Sequence, residues 1–157
     1  MHDILSISRT VIKDVVIAST TAYVTEANNI DMSKTRQVVA RFRVTDGGTG
    51  NVVTLKQGTT AASCNTALPF TRYQYCADIV AAPNTVVLGT ASSNTFTTGT
   101  ASKAQWYQIP ITDDMLTEGY KFVRVNVATA ASTTLGELSY TCYDLPINDS
   151  ADTAHTL

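Results

Sequence analysis

Gln37-Val38-Val39-Ala40-Arg41-Phe42-Arg43-Val44 alternates with a period of two. Successive side chains of an extended chain point to opposite faces. Val38, Ala40, Phe42 and Val44 therefore share one side, while Arg41 and Arg43 share the other. An apolar face backed by a charged face is the pattern of a strand half buried in an antiparallel sheet.

Working outward, Asp46-Gly47-Gly48-Thr49-Gly50 carries residues that tolerate turn geometry, so Asn51 to Gln57 is expected to pair back as the second arm of a hairpin. Phe70 to Val80 sets Tyr73, Tyr75, Ala77 and Ile79 on one face. Tyr120 to Val127 sets Val123, Val125 and Val127 against Arg124 and Asn126. Glu137 to Leu145 continues the style with Leu138, Tyr140 and Cys142. Segments 11–18, 21–26, 84–90 and 104–111 read as further strands. The pattern predicts an all-β protein, an antiparallel two-sheet β-sandwich with the jelly roll among its variants. One helical turn is expected near 112–118: Thr112 suits an N-cap, Asp113 and Asp114 suit the first turn, and Gly119 suits the exit.

Stretches 58–67, 89–103 and 128–136 are rich in Thr, Ala, Ser and Gly and read as loops. No linker divides the chain, so residues 1–147 are expected to form one sandwich domain and 148–157 a flexible C-terminal tail. The 157 residues are 44% hydrophobic but only 15% charged, against the usual quarter, and 26 Thr and 11 Ser fill the gap. A net charge of −2 argues against a general nucleic-acid binder, which needs many cations to displace counterions. No apolar run reaches the length of a membrane span, and the start lacks a basic then apolar leader, so synthesis and folding in a cytoplasm are expected.

Chemistry finds little purchase. His2 and His155 sit beside the termini, away from any position where an imidazole is held and oriented. Asp113, Asp114 and Glu118 read as the charges of a helix start rather than as calcium ligands or a glycosidase pair. Gly47-Gly48-Thr49-Gly50 lacks the Gly-Lys-Ser/Thr of a phosphate loop. Cys142 reads as a small buried hydrophobe. Cys64 and Cys76 form a bridge only if their segments lie side by side, and a reducing cytoplasm disfavours that. No catalytic residue, metal site or cofactor is expected. Lys34, Arg36, Arg41 and Arg43 form a local cationic cluster, read as a solvated strand face or a protein interface. Trp106 and Tyr107 fall on opposite faces of their strand, so one belongs to the core and Trp106 is the candidate for stacking against a sugar.

Gln105 to Val127, with the small-residue loop 128–134 and the closing strand Leu135 to Leu145, resembles the C-terminal half of small structural proteins of tailed bacteriophages. In those proteins an aromatic-Val-Arg strand follows a short turn; the matching residues here are Tyr120, Phe122, Val123, Arg124, Val125 and Val127. The resemblance implies a non-enzymatic bacteriophage virion protein of the head decoration, or cement, type. Such a protein is made in the host cytoplasm, binds the major capsid protein on the capsid surface, forms a symmetric homo-oligomer there and stabilises the shell. Residues 1–12 or 146–157 would then become ordered on a neighbour. Arg41 and Arg43, with Arg124 next, are the expected protein interface. The alternatives are a neck or tail component and, from another class, a carbohydrate-binding module acting through Trp106.

Overall fold

The computed structural model describes residues 8–13, 17–18, 29–33, 35–45, 49–100, 102–128 and 134–144; for 8–13, 17–18, 134–137 and 144 it describes the backbone alone. The expected strand 21–26, the glycines 47–48, both histidines and the tail 148–157 lie outside the described residues.

In chain order the strands are β1 (Ser8–Lys13), β2 (Ile17–Ala18), β3 (Ile30–Asp31), β4 (Thr35–Thr45), β5 (Val52–Gly58) and β6 (Thr66–Ala67). There follow β7 (Arg72–Cys76), β8 (Val87–Thr90), β9 (Thr95–Thr97), β10 (Ala104–Thr112), β11 (Phe122–Ala128) and β12 (Thr134–Asp144). A seven-stranded sheet runs β1-β12-β4-β10-β7-β8, with β2 also on β12. A five-stranded sheet runs β3-β11-β5-β6, with β9 sharing the same edge of β5 as β6. All pairings are antiparallel. The chain is thus the two-sheet β-sandwich that the alternation predicts.

The alternating strand β4 lies at the centre of the larger sheet, with Phe42 opposite Tyr107 of β10 and Leu138 of β12. Its inward residues Val38, Ala40, Phe42 and Val44 meet Val53 and Leu55 of β5 and Val123, Val125 and Val127 of β11 in one buried cluster. Aromatic rings fill one end of it. Tyr107 stacks on Phe42 with centroids 5.2 Å apart, and Tyr73 stacks on Phe96. The two sheets are also joined by a polar contact: the Val125 N–H donates to the Tyr140 hydroxyl at 3.2 Å. Among the described residues β3 pairs β11 at Phe122 and Val123 and no further, and the tyrosine satisfies a backbone donor beyond that pairing.

One expectation is corrected. β5 does not fold back on β4 as a hairpin; it belongs to the other sheet, between β11 and the β6/β9 edge. Glycine-rich turn chemistry permits a tight reversal but also permits a crossing between layers. Here β4 takes both of its neighbours, β10 and β12, from far along the chain. The expected helical turn is a single 3-10 turn, Asp113–Met115, after Thr112. Two of the expected loops carry short strands, β6 and β9, which the residue pattern does not mark.

Candidate functional site

The outer face of the larger sheet gathers most of the residues singled out in the sequence. Across it runs a row of register partners: Leu88 of β8, Gln74 of β7, Gln108 of β10, Arg41 of β4 and Ser139 of β12. The next row holds Cys76, Trp106, Arg43 and the register position of Glu137. Arg41 is thus the diagonal neighbour of Trp106, a separation that long side chains span. Its guanidinium lies 5.1 Å from the centroid of the indole. Trp106 is half-buried, whereas Arg41 and Arg43 are exposed. Tyr107, on the opposite side of β10, is buried in the core, as alternation requires.

This geometry joins two readings that the sequence kept apart. The interface arginine and the sugar-stacking tryptophan are in contact, and the arginine covers an indole face. A cation over an exposed ring contributes about 0.5–1 kcal/mol and holds both side chains in place. The result is a weakly cationic patch with amide and hydroxyl groups around an aromatic centre. Gln74 and Gln108, which the sequence reading passed over, complete it; the signal was their shared parity with Trp106 and with one another across β7 and β10.

Arg124 is elsewhere. It sits on the outer side of β11, opposite Val123 and Val125, as alternation predicts, but it is 4% exposed and not open to a partner. The chain after β5 doubles back over it. A Cβ on Gly58 would lie 2.4 Å from the Cys64 Cα, so only glycine lets the returning segment approach so closely. Thr60 and Ser63 close the turn reciprocally, each backbone N–H donating to the other's hydroxyl at 3.1 Å. Arg124 Nη2 then donates to Asn65 Oδ1 at 2.8 Å, while its Nε and Asn126 Oδ1 are buried without hydrogen-bond partners. Among the described residues, no carboxylate comes within ion-pair distance of Arg124. Cys64 is fully buried here. Burial pushes its thiol pKa up, against the opposing pull of the Arg124 and then the Lys56 charge.

Cys76 is buried by a second flap, on the other side of the molecule. Asp78 Oδ1 accepts from the N–H of Val80 at 3.1 Å and of Ala81 at 2.9 Å, and Lys103 Nζ lies 2.8 Å from its Oδ2. The turn so formed places the Ala82 carbonyl 3.3 Å from Cys76 Sγ. Those hydrogen bonds, first that from Ala81, and then Lys103 hold the Asp78 carboxyl below the usual carboxylate range. All three cysteines are free thiols, and Cys64 and Cys76 lie on opposite outer faces of the sandwich.

Among the described residues, no three His, Cys, Asp or Glu side chains cluster as metal ligands would. Compared with protein-family models, with curated proteins and with solved structures, the chain matches none.

Proposed function

We propose that the chain is a non-enzymatic structural protein of a tailed-bacteriophage virion, which binds the major capsid protein and stabilises the shell. The observation that carries the reading is the Arg41–Trp106 pair at the centre of an open sheet face, with Arg43, Gln74 and Gln108 around it. Trp and Arg are the residues that most often dominate protein–protein binding energy, and a rim of amides and hydroxyls fits a wet, polar interface. The resemblance of residues 105–145 to phage structural proteins supplies the kind of partner.

Mixing the purified protein with shells assembled from the major head protein encoded beside it tests this. Saturable co-sedimentation at a fixed ratio and a higher shell melting temperature are expected, with Arg41→Glu and Trp106→Ala each weakening binding about tenfold or more. Shells that bind nothing would overturn the reading, and association with tails instead would make the chain a neck or tail component.

A half-buried tryptophan flanked by two glutamines also favours a second reading, a carbohydrate-binding module. There the sugar would displace Arg41 from the indole face. Glycan binding lost in Trp106→Ala but retained or strengthened in Arg41→Ala would select it.

A further inference from the structure

The two edges of the larger sheet are guarded differently. At one end β1 carries Arg9 and Lys13. At the other, β8 is bonded only to β7 among the described residues, and the chain from Ile79 to Ser102 contains no charged residue. Leu88 is 62% exposed and Val86 53%. Soluble sheet proteins normally protect an open edge with charge, proline or a bulge, because its free N–H and C=O groups are a template for another strand. The edges of the smaller sheet are strands of only two or three residues.

The backbone phase of β8 is fixed. The Ala91 N–H donates to the Thr71 carbonyl at 3.0 Å, and β8 pairs β7 as Thr90↔Arg72, Gly89↔Tyr73, Leu88↔Gln74 and Val87↔Tyr75. In an antiparallel ladder the bonded residues alternate, so Gly89 and Val87 turn their backbone groups toward β7. Leu88 and Thr90 turn theirs to the open edge. Gly89 is held by the Tyr73 ring, whose Cζ would lie 2.2 Å from any added Cβ; this shields the inner side of the edge at that point.

We infer that β8 is a self-pairing seam: two copies of the chain join antiparallel through β8, with Leu88 opposite Leu88 on a two-fold axis. Charge decides the occupant. Self-pairing sets Leu88 against Leu88 and Val86 against Thr90, with no like charges opposed, whereas β1 would bring its own cations together. The axis stands perpendicular to the sheet, so the two larger sheets become continuous and both Trp106 faces look the same way. The seam is smaller than the roughly 1,200 Å² of a stable interface, so the dimer is weak and concentration-dependent. None of this depends on what the outer face binds.

Sedimentation equilibrium of the isolated protein up to millimolar concentration tests the seam, with amide hydrogen exchange measured at both ends of the range. Dimer formation is expected, with Leu88 and Thr90 amides protected as concentration rises and Val87 and Gly89 amides unchanged. Leu88→Lys and Leu88→Glu should each cut association at least tenfold, and an equimolar mixture of the two should restore it. Leu88→Pro removes an outward N–H without touching the β7 ladder and should behave like the charged variants. A wild-type chain that stays monomeric, a dimer that survives these substitutions, or a Lys/Glu mixture that fails to recover would overturn the seam. Capsid binding is read separately, so either proposal can fail alone.

Discussion

Arg41 and Arg124 occupy the same kind of place in the sequence. Each sits in an alternating strand, faces away from the core and is flanked by inward apolar residues: Ala40 and Phe42 for one, Val123 and Val125 for the other. Arg41 ends on an open sheet face over Trp106, and Arg124 ends under a lid with one hydrogen bond to Asn65. Alternation assigns a side chain to a face of its own sheet. Whether that face meets water depends on where the next loop goes, and for Arg124 the loop is held by the close approach at Gly58 together with the Thr60–Ser63 turn.

The most damaging way to break the contrast is Gly58→Val. Its Cβ and methyl groups have no room beside Cys64, so the segment 59–65 must lift from β11. A loss of about 2–4 kcal/mol is expected in chemical denaturation, from the range for overpacking plus the stranded polar groups beneath. Cys64, fully buried in the wild type, should become reactive to alkylation under native conditions. An unreactive Cys64 with unchanged stability would mean the lid does not depend on that contact.

Next comes Arg124→Ala, which removes the donor that Asn65 Oδ1 has among the described residues and leaves a cavity under the lid. A loss of roughly 2–3 kcal/mol is expected from calorimetry, with capsid binding unchanged. Arg124→Met sharpens the result. Among the described residues the buried charge has no carboxylate partner, so an apolar side chain of similar length should recover most of the loss.

The same truncation on the open face should do the reverse. Arg41→Ala is expected to change stability by no more than about 1 kcal/mol, since an exposed cation over a ring contributes little. Its effect should appear in binding to shells. If Arg41→Ala and Arg124→Ala lowered shell binding equally at equal stability, the distinction between open and covered faces would carry no functional meaning.

These outcomes bear on what the residues themselves disclose. β4 and β10 are legible because each keeps a two-residue period over many positions, as does the Leu138–Cys142 part of β12, and Tyr107, Tyr140 and Cys142 fall inward as that period demands. Partners are less legible. Asp46-Gly47-Gly48-Thr49-Gly50 has hairpin chemistry, yet β5 leaves for the other sheet, because pairing is decided by distant strands that compete for β4. β6 and β9 are two and three residues long, too short to show any period, and exist because β5 offers them an edge. The open face was half legible. Arg41, Arg43 and Trp106 were each identified, but only the register of β4 with β10 brings them into one patch. The covering of Arg124 depends on the path of a Thr/Ser/Ala loop, for which one glycine among several small residues was the whole signal.

The smallest effect concerns the second lid, the turn over Cys76, and it separates two lids built in different ways. The lid over Cys64 rests on backbone packing at Gly58, on hydroxyl contacts and on the Arg124–Asn65 bond, with no carboxylate among them, so it should ignore pH in the acid range. The lid over Cys76 rests on the Asp78 carboxylate, whose pKa in the folded protein is lowered by the amides of Ala81 and Val80 and by Lys103. A lowered folded pKa favours the folded state fully above the unfolded carboxylate value near 4, and that contribution disappears as the pH falls through the folded value. Between neutral pH and about pH 4.5 the Val80 and Ala81 amide resonances should therefore stay constant, then shift and broaden together at lower pH. The Thr60 and Ser63 amides of the other lid should not follow. Asp78→Asn, which keeps an acceptor but not the charge, should abolish the transition and leave the fold otherwise intact. If both lids opened at the same acid pH, the loss would be global unfolding and the difference in their construction would not matter.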